Sequence, residues 1–397
     1  MKTKFIAHFC FLFPFALTVF NVQVFVALFV SHGLAQLIAY GNLGLLMVGV
    51  ALVIKERGEL SKTARLWIIY FLMYFSFATV GSAIHHNKAE ILRAIIPFIY
   101  ILAFYVYLSI PENRLLFSKI ALICLVASSI LAIYMYNINF DLEEGGVYIY
   151  KLDRAQGVFG DANNTALIAI VTYIFVYKLY KPTKPIFKIF KLLLLGLMFY
   201  TLVLTFSTTG FLVFIIAVVM LNHKFFTGLR LVFAGFMLPV FYLLLINLNT
   251  LTANIDLRGQ QRDKVNNIVN VLSFNTDKVD DSGRSYLVTK LLNNYVYVNP
   301  IIGNGIEFGM SQRAHNTVVS VWADAGIFTL IFFLFMLGSY FMRAISRPPD
   351  VRFFVIPILI TLYVFMLSLQ SVINQPCIMA LFVYLAYVID EKDKIEI

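Results

Sequence analysis

Few side chains in this sequence can do chemistry, and most of them sit close together. The stretch SQRAHNTVVSVWADAGIFTL, Ser311 to Leu330, leads from a long polar segment into an apolar run. It holds Arg313, His315 and Asn316 at its start and Asp324 further in. His315 is the only histidine in the polar segment of residues 249–315. An imidazole can take a proton from a hydroxyl near neutral pH, which makes His315 a candidate general base. The competing structural role is a helix cap, and Asn316 already fills it. Arginines supply the other chemistry. A guanidinium is planar, always charged and able to grip phosphate oxygens through two parallel hydrogen bonds. Arg154, Arg258, Arg262, Arg284 and Arg313 all lie in polar segments and suit a multiply charged anion such as a pyrophosphate. The alternative is an ordinary solvated loop.

Other candidates are weaker. His85 and His86 read as structural residues on a short loop, and KLDR (Lys151–Arg154) as a solvated run. GDANNT, with Asp161, Asn163 and Asn164, reads as a turn and helix cap. Asp324 stands about 13 Å along a straight helix from His315, out of its reach. It calls for a polar partner from another span or a water-filled cavity. Cys10, Cys124 and Cys377 lie in apolar runs and read as small core residues. No set of His, Cys and carboxylates has metal-ligand spacing, so no metal is expected.

The elements that must position these residues are membrane helices. Of the 397 residues, 60% are hydrophobic and 13% charged, with a mean hydropathy of +0.84. Soluble domains are about 45–50% apolar and about 25% charged. Apolar runs of roughly 20 residues recur, each long enough to cross a hydrocarbon core of about 30 Å. The expectation is an all-α polytopic membrane protein with about 12 spans, forming a single transmembrane domain over residues 1–397. The first span reads as uncleaved, because no small-residue cleavage site follows it. The run 191–221 is too long for one span, and STTG (Ser207–Gly210) offers a break in its middle. The later spans are expected at about 231–248, 317–341, 353–370 and 372–389.

Loop charge sets the orientation. Lys55, Arg57, Lys62 and Arg65 share a side with Arg114 and Lys119, with the lysines of KPTKPIFK, and with Arg343, Arg347 and Arg352. Positive loops face the cytoplasm, so both termini are expected there. The same rule gives the formal net charge of +10 a membrane origin and excludes nucleic acid as the default partner. The polar segments at about 139–162 and 249–315 fall on the opposite, periplasmic face. The larger contains SGRSYLVTKLLNNYVYVNP, capped by Ser282 or Gly283, with Leu287, Leu291 and Tyr295 four apart on one face. This predicts an amphipathic helix along the membrane surface, ended by Asn299–Pro300. IIGNGIEFG follows, with glycines for sharp turns.

These motifs together resemble the family of bacterial O-antigen ligases and O-antigen polymerases. HNTVVSVWADAGIFT is similar to its signature of His-Asn, nine residues, Gly, two residues and Thr. GRSYLVTKLLNNYVYVNPIIGNG resembles its arginine-led helix ending in Asn-Pro and a glycine-rich turn, and DRAQGVFGDANNTA its earlier outer loop. The resemblance covers most of the chain. It implies a membrane glycosyltransferase of the bacterial inner membrane, facing the periplasm, metal-independent and without cofactor. The implied donor is a glycan on undecaprenyl pyrophosphate. The acceptor is a lipid-linked repeat or lipid A–core, with membrane lipids and a chain-length regulator as further partners. His315 matches the proposed base and Arg284 the arginine that binds donor pyrophosphate. Arg154, Arg258 and Arg313 complete the implied donor site. The chain departs from the family at the mid-chain hairpin, where Thr209 stands in place of an arginine in Ser-Arg-Gly.

The chemistry is consistent with the residues. Pyrophosphate is a stable leaving group, so one base and several arginines suffice for a direct, inverting displacement. Polymerase is favoured slightly over ligase. An exporter or flippase is the alternative from another class. It calls for ionisable pairs and broken helices at mid-membrane, neither of which the sequence makes evident. A third option is a scaffold for a glycan-assembly complex, indifferent to His315.

Overall fold

A computed structural model describes residues 2–87, 91–142, 145–147, 150–226, 229–278, 283–370 and 372–391. The helices of eight residues or more are α1 (Lys2–Val19), α2 (Val22–Phe29), α3 (His32–Val53), α4 (Arg65–His85), α5 (Ile96–Tyr107), α6 (Pro111–Asn137), α7 (Ala162–Leu179) and α8 (Pro185–Thr205). They continue as α9 (Thr208–Leu221), α10 (Leu229–Ile246), α11 (Gly259–Leu272), α12 (Arg284–Leu291), α13 (Thr317–Ile345), α14 (Pro349–Met366) and α15 (Pro376–Asp390). One short antiparallel pair joins Phe140–Asp141 to Gly146–Val147. The protein is an all-α polytopic membrane protein.

Several helix starts follow from single polar side chains. Asp161 Oδ1 accepts the Asn164 N–H at 2.8 Å and starts α7. Ser207 Oγ accepts the Gly210 N–H at 3.1 Å and starts α9, after Phe206 has turned left-handed at φ 46°. The long apolar run therefore breaks within STTG, as its length requires. Each cap satisfies an N–H that has no carbonyl four residues before it.

Among the described residues, seven helices are long and apolar enough to cross a membrane, or eight if the bent pair Lys4–Val19 and Val22–Phe29 is one span. Three shorter apolar helices lie at Ile91–Tyr107, Thr208–Leu221 and Pro376–Asp390. The expectation of about 12 spans is not reached on length and composition alone. Pro376–Asp390, for example, is apolar but has only 15 residues. Every residue from Cys377 to Ile389 is buried, so protein and not lipid surrounds this helix.

The described residues form two compact units, Met1–Ser128 with Arg284–Ile397, and Ser129–Gly283. The core of the first surrounds α15. Trp67 of α4 is fully buried against Tyr70, Phe333 and Phe382. Asp390, at the end of α15, accepts from Ser61 Oγ, Thr63 N and Thr63 Oγ1 at 2.6–2.8 Å, which ties down the loop before α4. Large apolar residues such as Leu37, Met47 and Phe335 stay more than half exposed, as lipid-facing positions do. In the second unit α7 is the central helix, and its Thr172 Oγ1 accepts from Ser129 Oγ at 3.5 Å. Gly157, at φ 56°, lets the preceding loop close onto Ala132 and Thr165.

Candidate functional site

The His315 turn belongs to the first unit. Asn316 Oδ1 accepts the Val319 N–H at 3.0 Å and caps α13, as its position predicts. The two candidate residues before it are both left-handed, Arg313 at φ 53° and His315 at φ 49°. Between them Ala314 is fully buried. It packs with Leu291 and Val296, which follow Arg284 along the chain, and with Ala323 of α13. The turn thus buries the small residue and leaves His315 half-buried and Arg313 exposed. Left-handed backbone costs a non-glycine residue about 1–2 kcal/mol. Two such residues in three are held by the surrounding structure, a pattern common at functional sites.

The bracing is explicit. The His315 backbone N–H donates to Gln370 Oε1 at 3.2 Å. Gln370 Nε2 in turn donates to the Met310 carbonyl at 3.3 Å. Thr317 Oγ1, fully buried, donates to the Leu369 carbonyl at 2.5 Å. The connection between α14 and α15 therefore clamps the turn that carries His315.

Asp324 explains what holds the preceding segment. Its carboxylate is 6% exposed. Oδ2 accepts from the Tyr74 hydroxyl at 2.8 Å, and Oδ1 accepts from the Gly309 N–H at 2.6 Å. The Tyr74 oxygen also accepts the Glu307 N–H at 3.1 Å. Asp324 thus meets the expected partner from another span, in α4, and a second partner that was not foreseen. The cavity beside it, about 20 Å³ and lined by Tyr70, Tyr74, Asp324, Glu307 and Gln370 among others, has room for about one water.

A break in α13 completes the arrangement. Gly326 has φ 76° and ψ −179°, a conformation essentially confined to glycine. The interrupted helix frees the carbonyls of Ala323 and Asp324, and the Asn304 and Gly305 N–H groups donate to them at 2.7 and 3.0 Å. The Ile327 N–H, also freed, donates to the Pro300 carbonyl at 2.9 Å. The segment IIGNGIEFG is thereby threaded against the break, and a side chain at residue 326 would fall on the Ile301 carbonyl. The sequence reading took residues 317–341 as an unbroken span with no broken helix evident, and the structure corrects this. The only local signal was Gly326 inside an apolar run.

Arg284 opens α12, half-buried, after Gly283 at φ 75°. Ser282, the other candidate cap, lies outside the described residues. The helix runs on into a π turn, Leu292–Val296. The Tyr295 ring then meets Phe308 at 4.9 Å. The structure thus gathers onto one cluster the α12 segment led by Arg284 and the turn that presents Arg313 and His315.

Arg154 and Arg258 lie in the second unit. Arg154 Nε donates to the Thr205 carbonyl at 2.8 Å, at the end of α8 and just before STTG. The arginine absent at Thr209 thus has a guanidinium close to the same break. Arg258 donates to the Lys151 carbonyl and lies 3.6 Å from Asp153. Gln261 reaches from the first turn of α11 to the Asp153 carbonyl at 2.7 Å. Residues 151–154 and the start of α11 are therefore one assembly, and KLDR is a docked segment as well as a solvated one. Arg262 is exposed on the next turn.

The family model described as O-antigen ligase matches residues 193–334. Over those residues the chain is similar to the O-antigen ligase family. The matched residues run from α8 into α13, and so include Arg258, Arg284, Arg313, His315, Asp324 and the break at Gly326, while Arg154 precedes them. No curated protein matches the chain. With the membrane helices, this similarity supports a membrane glycan-processing enzyme. Tyr74 and Gln370 lie outside the matched residues, yet one holds Asp324 and the other holds His315.

Proposed function

We propose that the protein transfers a glycan from an undecaprenyl-pyrophosphate donor to a sugar hydroxyl, in the synthesis of O-antigen or a related surface polysaccharide. The observation that carries this reading is the O-antigen ligase match across a His315 turn held in left-handed backbone by Gln370. In this reading His315 takes the proton of the acceptor hydroxyl. The oxygen then attacks the anomeric carbon, and the bond to the pyrophosphate oxygen breaks with its electron pair leaving on the pyrophosphate. The displacement inverts the anomeric centre and requires no metal or cofactor. Arg284 holds the pyrophosphate, with Arg154, Arg258 and Arg313 as further donor-binding arginines, because several fixed cations stabilise the charge that develops on the leaving group. The site faces the periplasm from the inner membrane, both termini are cytoplasmic, and a chain-length regulator is a further partner.

Polymerase is preferred slightly over ligase. A deletion strain separates them: loss of a polymerase leaves core carrying one repeat, whereas loss of a ligase leaves bare core and accumulated lipid-linked polymer. The direct test of the reading is purified protein with a defined lipid-linked donor and two acceptors, a lipid-linked repeat and lipid A–core. Transfer should vanish in His315→Ala; near-normal transfer by that variant sinks the assignment.

The break in α13 beside Asp324 is the one observation that favours an exporter, since transporters use broken helices at their substrate sites. Here the backbone groups freed by the break are taken by Pro300, Asn304 and Gly305, so they are already satisfied within the chain. Movement of a labelled lipid-linked glycan by purified protein, with no transfer product, would restore the exporter reading.

A further inference from the structure

The second unit contains an open cavity of about 390 Å³ that the donor-site arginines do not line. Its walls are Asp263, Asn266, Asn267 and Asn270 of α11, with Lys278 from the turn that follows. The α11 residues fall at i, i+3, i+4 and i+7, so they share one face of the helix. The Asn270 amide donates to the Lys278 carbonyl at 3.0 Å and fixes the two walls against each other. The side chains of Asp263 and Asn266 make no hydrogen bond or ion pair with any described residue, so their polar atoms are available to a ligand.

We propose that this cavity is a carbohydrate subsite that holds neutral sugar units of the glycan substrate, a proposal that rests on the transferase reading above. Its volume lies within the range of roughly 300–1,000 Å³ usual for small-molecule sites. Every described residue lining it is polar, which disfavours an acyl chain. Among those described residues one carboxylate and one ammonium cancel in charge, which disfavours a phosphate. The Asn266 amide is unengaged and the Asn270 amide keeps its oxygen, so donors and acceptors stand together. Adjacent sugar hydroxyls need that combination, because each hydroxyl both donates and accepts.

A second observation points to the same ligand. Phe274 lies in the turn between Asn270 and Lys278, at φ 57°, and is 85% exposed. Left-handed backbone disfavours phenylalanine, and Asn275 beside it would adopt that conformation more readily. An aromatic ring exposed on the turn that joins the two walls can offer its face to the C–H surface of a pyranose. A ring aimed at the bilayer is the competing role, and the experiment separates the two.

The test uses full-length protein in detergent and, in parallel, in nanodiscs. The probe is a free oligosaccharide of one to a few repeats, released from the surface glycan of the strain that carries the gene. Binding is measured by calorimetry for wild type, Asn266→Ala, Phe274→Ala and His315→Ala, beside transfer from the lipid-linked donor. The expected result is binding weakened by about tenfold in Asn266→Ala and in Phe274→Ala, with melting temperatures unchanged. His315→Ala should bind as wild type does. Wild-type binding unaltered by both cavity substitutions, or no binding at all, overturns the subsite. So does a Phe274→Ala protein that loses affinity for vesicles while its sugar affinity stays intact. If the protein binds the oligosaccharide through this cavity yet transfers nothing, the subsite stands and the transferase reading falls. If it transfers normally and the cavity variants bind normally, only the subsite falls.

Discussion

Removing the Asp324 carboxylate should loosen the segment that leads to His315. Asp324→Ala leaves two buried donors without acceptors, the Gly309 N–H and the Tyr74 hydroxyl. At about 1–3 kcal/mol for each orphaned group, the loss of stability is about 2–6 kcal/mol. Asp324→Asn keeps one oxygen, which can still accept from Gly309, and so should lose only about 1–3 kcal/mol. Tyr74→Phe removes the other end of the same bond and also strips the Glu307 N–H of its acceptor. The two substitutions should therefore couple, by about 0.5–3 kcal/mol in a double-mutant cycle. The assay is thermal unfolding of purified protein in one detergent, with glycan transfer followed at a temperature where every variant is folded. Transfer should fall in the order wild type, Asp324→Asn, Asp324→Ala. The reason is that residues 307–310 carry the Met310 carbonyl, which holds Gln370, which holds His315. Strictly additive single and double substitutions, or an Asp324→Ala protein that melts with wild type, would falsify this chain of contacts.

Three further outcomes are expected. Gly326→Ala should cost more than the about 1–3 kcal/mol of a strained backbone residue, because its new methyl also meets the Ile301 carbonyl. Monodisperse, normally melting Gly326→Ala protein would show that the break is not needed. Gln370→Ala should lower kcat for transfer at nearly constant KM, and Gln370→Glu, which keeps the acceptor for the His315 N–H, should recover part of the loss; equal losses in both would remove Gln370 from the positioning of His315. Arg284→Lys should be nearly as damaging to transfer as Arg284→Ala if bidentate geometry on the pyrophosphate matters, since a lysine retains charge but not the planar fork, and a mild lysine variant would argue for simple charge.

Caps, element type and motif order were legible without the structure. Asn316 and Asp161 each act on an N–H three residues away, and Ser207 does the same at the break that STTG marked. Such short-range chemistry is written in adjacent letters. A helix led by Arg284 was legible for the same reason, since Leu287, Leu291 and Tyr295 repeat at helical spacing, although the α-helix ends at Leu291 and a π turn carries the chain on to Val296. Hydropathy also identified the class of protein, because apolar runs of that length have few other uses.

What only the tertiary structure decided depends on residues far apart in the chain. Asp324 looked isolated because its partners, Tyr74 and Gly309, are 250 and 15 residues away. The break at Gly326 was invisible because its cost is offset elsewhere: the freed backbone groups are satisfied by residues 300–305, which no local pattern links to α13. α15 reads as a span from composition, and only the fold shows that protein surrounds it from Cys377 to Ile389. Hydropathy reports that a helix avoids water. Whether lipid or protein replaces the water is settled by what packs around it, and that is a property of the whole fold.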